Sequence, residues 1–323
     1  MNAAPAGSVV ALCGGVGGAK LAVGLNALLG GRLSLVVNTG DDFEHLGLAI
    51  SPDVDTVLYT LGGRADRSRG WGRAGETWGF MAALAEIGGE TWFNLGDQDL
   101  ALHVARTQAL SEGRRLTEFV AEVALRFGIA ARVLPMSDDP VRTMVLTDAG
   151  ELPFQRYFVE RRCAPVLRCL RFKGAERARP SPEVERALEA EDLRAIVICP
   201  SNPYLSIDPI LALPWFREAL HRARAPIVAI SPLIGGAAVK GPTAKIMSEL
   251  NRPTTPAAIA EHYSEWLDGL VIDGADVRHE RALELPVHTT GTLMTTDADR
   301  VRLARETLSF AALLAARPTR GDR

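Results

Sequence analysis

The stretch Val9–Lys20, VVALCGGVGGAK, decides how this chain is read. Val9–Leu12 is a short apolar run and reads as a buried strand. Gly14, Gly15, Gly17 and Gly18 follow, permitting a tight turn and a close approach of bare backbone to whatever lies above it. Leu21, Leu25, Leu28 and Leu29 then recur at helical spacing, so a helix comes next. A strand, a glycine turn and a helix N-terminus together aim free amides and a positive dipole end at an anion. Phosphate is therefore expected at Gly14, Gly15, Gly17, Gly18 and Lys20. Neither common signature is complete. Gly15-x-Gly17 begins a dinucleotide fingerprint, but its third glycine position holds Lys20. A P-loop needs glycine before its lysine and Ser or Thr after it, where this chain has Ala19 and Leu21. The same pattern also serves as a tight strand–helix turn without a ligand.

Outward from this stretch, acidic residues gather at the ends of predicted elements. Leu33–Val37 is a second strand and runs into Asn38-Thr39-Gly40-Asp41-Asp42, at the carboxyl edge where α/β proteins hold ligands. Ser51-Pro52-Asp53-Val54-Asp55-Thr56 opens a helix, whose cap Asp53 or Asp55 could be. Paired acids after a phosphate-type loop also suit a magnesium ion, which takes carboxylate oxygens; the two pairs are Asp41-Asp42 and Asp53 with Asp55. Arg64–Arg73 holds four arginines and reads as an exposed loop able to close over an anion. Trp71 and Trp78 are candidate walls for a flat ring. Trp92–Leu95 reads as a strand ending in a third acidic tip, Gly96-Asp97-Gln98-Asp99, and His103 lies on the helix after it. A lone helical histidine is more often structural than chemical.

The amphipathic run Leu116–Phe127 closes at Gly128, and Ala130–Leu134 is a further strand. Arg142–Leu146 and Leu152–Phe158 read as a hairpin, and Arg161–Pro182 as basic and irregular. The strand–helix rhythm resumes with Ala195–Cys199, Ile227–Ile230 and Leu270–Ile272, whose ends carry Ser201-Asn202, Ser231 to Gly235, and Asp273. Lys240 and Lys245 are candidate point charges for a diphosphate. The expected fold is α/β: a Rossmann-like, doubly wound, mostly parallel sheet in three layers. It is formed by residues 1–140 and 191–323, with a smaller lobe inserted at 141–190.

Composition narrows the function. The 323 residues are 47% hydrophobic with a net charge of -3, which gives no basic footprint for nucleic acid. No apolar run approaches a membrane span, and Met1–Ser8 lacks the basic start and apolar core of a leader. Four dispersed cysteines without CxxC argue against structural zinc and against a disulfide framework. A cytoplasmic enzyme is expected. No Ser-His-Asp or Cys-His set reads as a nucleophile, which phosphoryl-type transfer by positioning and charge neutralisation tolerates.

The motifs CGGVGGAKL (13–21), VVNTGDD (36–42), ISPDVDTVLY (50–59), LGDQDLALHVAR (95–106), LPMSDDPV (134–141), CPSNPYLSI (199–207) and SPLIGGAAVKGPTAK (231–245) lie in order along nearly the whole chain. Together they resemble the 2-phospho-L-lactate transferase family of deazaflavin coenzyme F(420) biosynthesis. That resemblance implies a guanylyl diphosphate donor carrying lactate, enolpyruvate or a similar acid, and 7,8-didemethyl-8-hydroxy-5-deazariboflavin (Fo) as acceptor. The ribityl hydroxyl of Fo attacks the distal phosphorus, GMP leaves, and magnesium is required. It implies deazaflavin contacts at Asp55, Asn94 and Asp97, with Asp55 also catalytic. Metal ligation falls to Asp41, Asp42 and Asp55. Donor contacts fall to the glycine loop, Lys20, Ser201, Asn202, Ser231, Gly235 and Lys245. A homodimer is expected as well. Two other classes stay open: a nicotinamide-dependent oxidoreductase, disfavoured by the broken fingerprint, and a non-catalytic nucleotide-binding regulator of carbon metabolism with a related fold. Keeping SPDVDT and LGDQD in one chain favours the enzyme.

Overall fold

The computed structural model describes residues 7–239 and 241–316. The proposed diphosphate charge Lys240, the tail from Arg317 and most of the expected leaderless start lie outside the described residues. Seven strands form one sheet: β1 (Ser8–Cys13), β2 (Leu33–Val37), β3 (Arg132–Pro135), β4 (Leu193–Ile198), β5 (Ile227–Ile230), β6 (Gly269–Asp273) and β7 (Val287–Thr290). Their order is β3-β2-β1-β4-β5-β6-β7. Every pairing is parallel, so the sheet is wholly rather than mostly so. This is the doubly wound Rossmann order with one strand added at an edge.

A parallel sheet buried on both faces needs strands apolar at nearly every position. β1 meets this with six buried residues. Their side chains alternate between two cores, as strand geometry requires. Val10 and Leu12 join Val36, Ile196, Ile198, Ala229 and Ile272 on one face. Val9, Ala11 and Cys13 join Leu35, Val37, Val197, Val228 and Val271 on the other. Three layers result. The second face is covered by α1 (Gly15–Leu29), α2 (Pro52–Leu61), α5 (Leu116–Arg126) and the C-terminal helix Asp297–Ala315. Gly24 lets α1 press against that last helix: a Cβ there would stand 2.0 Å from the Arg300 carbonyl oxygen. Between α2 and α5 come α3 (Gly79–Glu86) and α4 (Asp97–Ser111), of which α4 reaches the cavity described below.

The inserted segment forms a three-stranded antiparallel sheet, Gly150–Pro153 beside Arg142–Thr147 beside Leu167–Lys173. Its Val145, Tyr157 and Leu167 belong to the same apolar cluster as the main sheet. The third strand lies inside the stretch read as irregular. A register break opposite Leu167–Cys169 disguises its apolar–polar alternation. Beyond Pro153 the expected hairpin arm instead turns helical at Arg156–Glu160. Trp92–Leu95 is not a strand. Its aromatic residues pack as a loop against the Phe43–His45 hairpin, with the Phe43 and Phe93 ring centroids 4.9 Å apart and edge-on. The edge strand β7 went unforeseen because VHTT is short and only half buried.

Candidate active site

The carboxyl edge of the sheet opens into a cavity of about 660 Å³. It lies over the gap between β1 and β4, the switch point where the strand order reverses. Gly14, Gly15, Gly17, Lys20, Ser201 and Asn202 reach it from the two central strand ends. Gly15 adopts the left-handed conformation that the turn demands, with φ +62°. The other glycines answer to the protein's own packing. A Cβ on Gly17 would stand 2.4 Å from the Pro200 carbonyl oxygen, and one on Gly18 would stand 2.4 Å from Ser201 Oγ. Gly18 itself does not line the cavity. The glycine run thus seats the β4 turn under α1 as well as clearing space above it.

Two amides of this cradle are already taken. The Ser201 hydroxyl accepts from Gly14 N at 3.1 Å and donates to Gly14 O at 2.8 Å, stitching β1 to β4. Gly15 N donates to Asp53 Oδ1 at 2.6 Å, so a carboxylate of the chain itself holds the head of α1. Val16 and Gly17, the next residues of α1, face the cavity, and first-turn amides have no partner within their own helix. Asn202 caps the turn after β4 through its Oδ1, which accepts from Tyr204 N and Leu205 N. Its buried Nδ2 has no hydrogen-bond partner, and the residue lines the cavity. Lys20 Nζ donates to Met294 O at 3.1 Å. Ser231 also lines the cavity, its Oγ accepting from Leu233 N at 3.2 Å.

Four carboxylates cluster beside the cradle, three of them lining the cavity. Asn38, wholly buried at the end of β2, donates to Asp41 Oδ1 at 3.2 Å and to Asp53 Oδ2 at 2.9 Å. Asp42 accepts from Ser51 Oγ at 2.8 Å and does not line the cavity, whereas Asp41, Asp53 and Asp55 do. Neither Asp53 nor Asp55 caps α2 through its side chain. Asp55 Oδ1 instead accepts from Nη2 of Arg106, a fully buried residue of α4. Burial dominates the electrostatics. It pushes Asp42 up to about 7 against the pull of Ser51, Arg142 and Arg106. It pushes Asp53 up to about 6 against Asn38 and the Gly15 amide. Burial also raises Asp41, reinforced by the charges of Asp53, Asp42 and Asp55, and raises Asp55 despite Arg106 and His103.

A carboxyl raised in the folded state stabilises fully below its ordinary value of 3.8, and that contribution is lost as pH rises through about 7. Without divalent ions, the urea midpoint is expected to fall between about pH 5 and about pH 7.5, and Asp42→Asn is expected to shrink the fall. An equal fall in both proteins would show that Asp42 does not titrate in this window.

A third wall is apolar and aromatic, with Ile50, Phe93, Phe154, Phe158 and Trp71. Phe154 and Phe158 stack with centroids 5.3 Å apart. Asn94 lies exposed at the rim. In the loop 64–73, Arg69 pairs with Asp66 at 3.0 Å and lies over Trp71 and Trp78, while Arg64 covers Phe127. Two of the four arginines are thereby committed to their own loop or to a neighbouring ring.

Besides Gly18 and Asp42, three expected site residues stand off the cavity. Asp97 caps α3: its carboxylate accepts from Thr77 Oγ1, Gly79 N and Phe80 N. Lys245 turns toward the inserted segment, donating to Tyr157 OH, Pro165 O and Glu249. Gly235 N donates to Asp276 Oδ2 at 2.9 Å, and Gly235 does not line the cavity. The acid that does reach the cavity from the LGDQD block is Asp99. It accepts from the Tyr59 hydroxyl, and its Oδ2 lies 3.2 Å from His103 Nε2. Spacing held the clue: 99, 103 and 106 fall on one face of a helix.

Known proteins show where the chain belongs. A sequence model described as 2-phospho-L-lactate transferase CofD matches residues 9–309. A phosphoenolpyruvate transferase of Kitasatospora aureofaciens is 40% identical over 314 residues, covering 94% of this chain and 97% of that protein. A 2-phospho-L-lactate transferase of Methanosarcina mazei is 39% identical over 300 residues, covering 92% and 98%. In fold, the chain is similar to a crystal structure of a UPF0052-family protein of Bacillus halodurans. The TM-score is 0.62 at 16% identity, over 94% of this chain and 98% of that one. With its motifs, its sheet and its full-length relatives in agreement, the chain belongs to the 2-phospho-L-lactate transferase family.

Proposed function

We propose that this protein transfers a phospho-acid group from a guanylyl diphosphate donor to the terminal ribityl hydroxyl of Fo and releases GMP. One observation carries the reading beyond family membership: the cavity joins an amide-lined cradle, a carboxylate wall and an aromatic wall. A diphosphate suits the Val16 and Gly17 amides, Lys20 and the unpartnered Asn202 Nδ2. A flat tricyclic ring suits Phe93, Phe154, Phe158 and Trp71.

The carboxylate wall needs a cation. A polyanionic donor facing Asp41, Asp53 and Asp55 meets like charge in a buried site, and Arg106 and Arg142 oppose only part of it. The donor set fits magnesium, which Asp41 and Asp55 would hold together with phosphate oxygens. Bound there, the ion would neutralise charge on the transferring group. The residues of the chain supply the rest. The cradle fixes the donor, and the aromatic wall fixes the acceptor ring. Asp55, with Oδ1 held by Arg106 and Oδ2 without a partner, orients the attacking hydroxyl and takes its proton. The hydroxyl oxygen bonds to the distal phosphorus as the bond from that phosphorus to the GMP phosphate oxygen breaks.

Relatives named for phosphoenolpyruvate and for 2-phospho-L-lactate match at about equal identity, so the test must include both acids. The protein is incubated with Fo, magnesium and lactyl, enolpyruvyl or glyceryl guanosine diphosphate, and the products are weighed by mass spectrometry. GMP and a phosphodiester of Fo are expected in equal amounts from at least one donor. Tight GDP binding with no GMP from any of the three would overturn the reading.

A further inference from the structure

Of the four arginines in the loop 64–73, Arg69 alone lines the cavity. The loop holds it in place. Ala65 and Arg73 bridge its two ends, and Asp66 N donates to Gly72 O at 3.0 Å across its neck. Gly70 and Gly72 turn the chain back in the left-handed conformation, with φ +74° and +71°. Inside the loop, the Asp66 carboxylate accepts from Ser68 N, Ser68 Oγ and Arg69 N at 2.9, 2.6 and 3.0 Å. Those donors, the Ser68 hydroxyl foremost, hold the Asp66 carboxyl down at about 2, so it remains an anion.

Asp66 takes one edge of the guanidinium: Arg69 Nε donates to Asp66 Oδ2 at 3.0 Å. The indoles of Trp71 and Trp78 lie against it, with the guanidinium carbon 5.5 and 5.0 Å from their ring centroids. Nη1 and Nη2 make no hydrogen bond among the described residues. The guanidinium is therefore fixed by its Nε edge and by two rings, while its terminal fork is unspent. Such a fork matches a planar anion that accepts two parallel hydrogen bonds, as a carboxylate does.

The charges around the cavity indicate which carboxylate. Among the described residues it is lined by four acids, Asp41, Asp53, Asp55 and Asp99, and by one lysine and one arginine, Lys20 and Arg69. Lys20 belongs to α1, in the cradle that suits the diphosphate. The transferred group brings a further anion, the carboxylate of its acid, which would meet like charge beside the acids. Its phosphorus must come within reach of the acceptor hydroxyl, so the acid hangs on the acceptor side of the donor. Trp71 belongs to the aromatic wall on that side, and Arg69 lies over it. A shallower hollow of about 420 Å³ opens there, sharing Arg69, Trp71 and Asn94 with the cavity.

We propose that Arg69 is a specificity residue for the donor: its Nη1 and Nη2 bind the carboxylate of the phospho-acid group, and Asp66 and the two indoles position them. This role rests on the transfer reading above. The hollow is open, so the fork demands a carboxylate without fixing the carbon skeleton, and lactyl and enolpyruvyl groups meet it alike.

The test removes each partner in turn. Calorimetry compares lactyl guanosine diphosphate with its ethyl counterpart, which lacks only the carboxylate. Both are titrated with magnesium into the full chain as wild type, Arg69→Gln and Arg69→Lys. Wild type is expected to bind the lactyl donor about 10- to 100-fold more tightly, the range of a hydrogen-bonded charged pair. Arg69→Gln should bring the two donors to one affinity, that of the ethyl donor on wild type. Arg69→Lys keeps the charge without the fork and should recover only part of the preference. GDP and Fo affinities should stay within a few-fold in both variants. Thermal melting checks that each variant folds, and Arg69→Lys against wild type decides the matter if Arg69→Gln does not. A wild type that binds both donors equally overturns the proposal. So does an Arg69→Gln protein that keeps the preference, or one that loses both donors in parallel, which would give the fork to the diphosphate. Binding needs no turnover, so the two readings separate. Levelled affinities without GMP release leave the fork standing and sink the transfer, and GMP release with the preference intact in Arg69→Gln does the reverse.

Discussion

Asp55→Asn is expected to lower the rate of transfer by about 10²- to 10⁴-fold, the range that a positioned proton acceptor supplies. Donor affinity measured without divalent ions is expected to stay within a few-fold. Asp55 lies in the first turn of α2, but its carboxylate bonds no amide of that helix, so a capping role does not explain it. Asp55 lines the cavity, its Oδ2 has no hydrogen-bond partner, and burial raises its proton affinity. The cradle that would hold the donor is built from other elements, β1, α1 and the turn after β4. Loss of Asp55 should therefore act on the transition state more than on the bound donor. Single-turnover rates with GDP binding measured in parallel check this. A variant that transfers at the wild-type rate removes Asp55 from the chemistry.

Arg106→Leu is expected to destabilise the fold by about 3–5 kcal/mol, the cost of leaving one member of a buried ion pair alone. The side chain of Arg106 is wholly buried, and it also donates to Ala49 O at 3.1 Å and approaches His103 Nδ1 at 3.3 Å. Without it, burial and the charge of Asp99 act on Asp55 with less opposition. Adding Asp55→Asn should recover much of the loss, because the uncompensated charge disappears. Urea unfolding of both single variants and the double variant measures the coupling. Strictly additive losses would show that the two residues are independent.

The strands of the sheet were legible because a doubly covered parallel strand must be apolar throughout, and SVVALC and LSLVV state this plainly. Periodicity fails where that constraint lapses. Trp92–Leu95 is as apolar as a strand but spends its rings on a small aromatic cluster. β7 is too short and too wet to announce itself. The site was legible at its strand tips, because Gly14, Asp41 and Ser201 sit where the sheet ends. It was obscured wherever two acids stood side by side. Asp97 and Asp99 differ by half a helical turn, so one caps a neighbouring helix and the other faces the cavity. Asp41 and Asp42 diverge in the same way, toward Asn38 and toward Ser51. Composition and spacing cannot tell such neighbours apart; the direction of the Cβ decides. Sequence offers Asp53 and Asp55 alike as caps of α2, whereas the amide that Asp53 holds, Gly15 N, lies in another element. Lys245 was misjudged because a salt bridge to Glu249 and the Tyr157 hydroxyl draw it away.

The central place of β1 bears on how the nascent chain matures. β2 pairs with its first edge soon after emerging, but β4, which covers the second, begins roughly 150 residues after β2 ends. At about 5–20 residues per second, translation leaves that edge open for roughly 8–30 s. An apolar strand with an unsatisfied edge is a template for aggregation, so β1 is the segment most in need of shielding on the nascent chain. Ser201, which stitches the cradle shut, arrives with the same late stretch. A ligand of that cradle therefore cannot rescue the earliest intermediates, and destabilising changes in the first 40 residues should lower cellular yield even where the finished protein tolerates them.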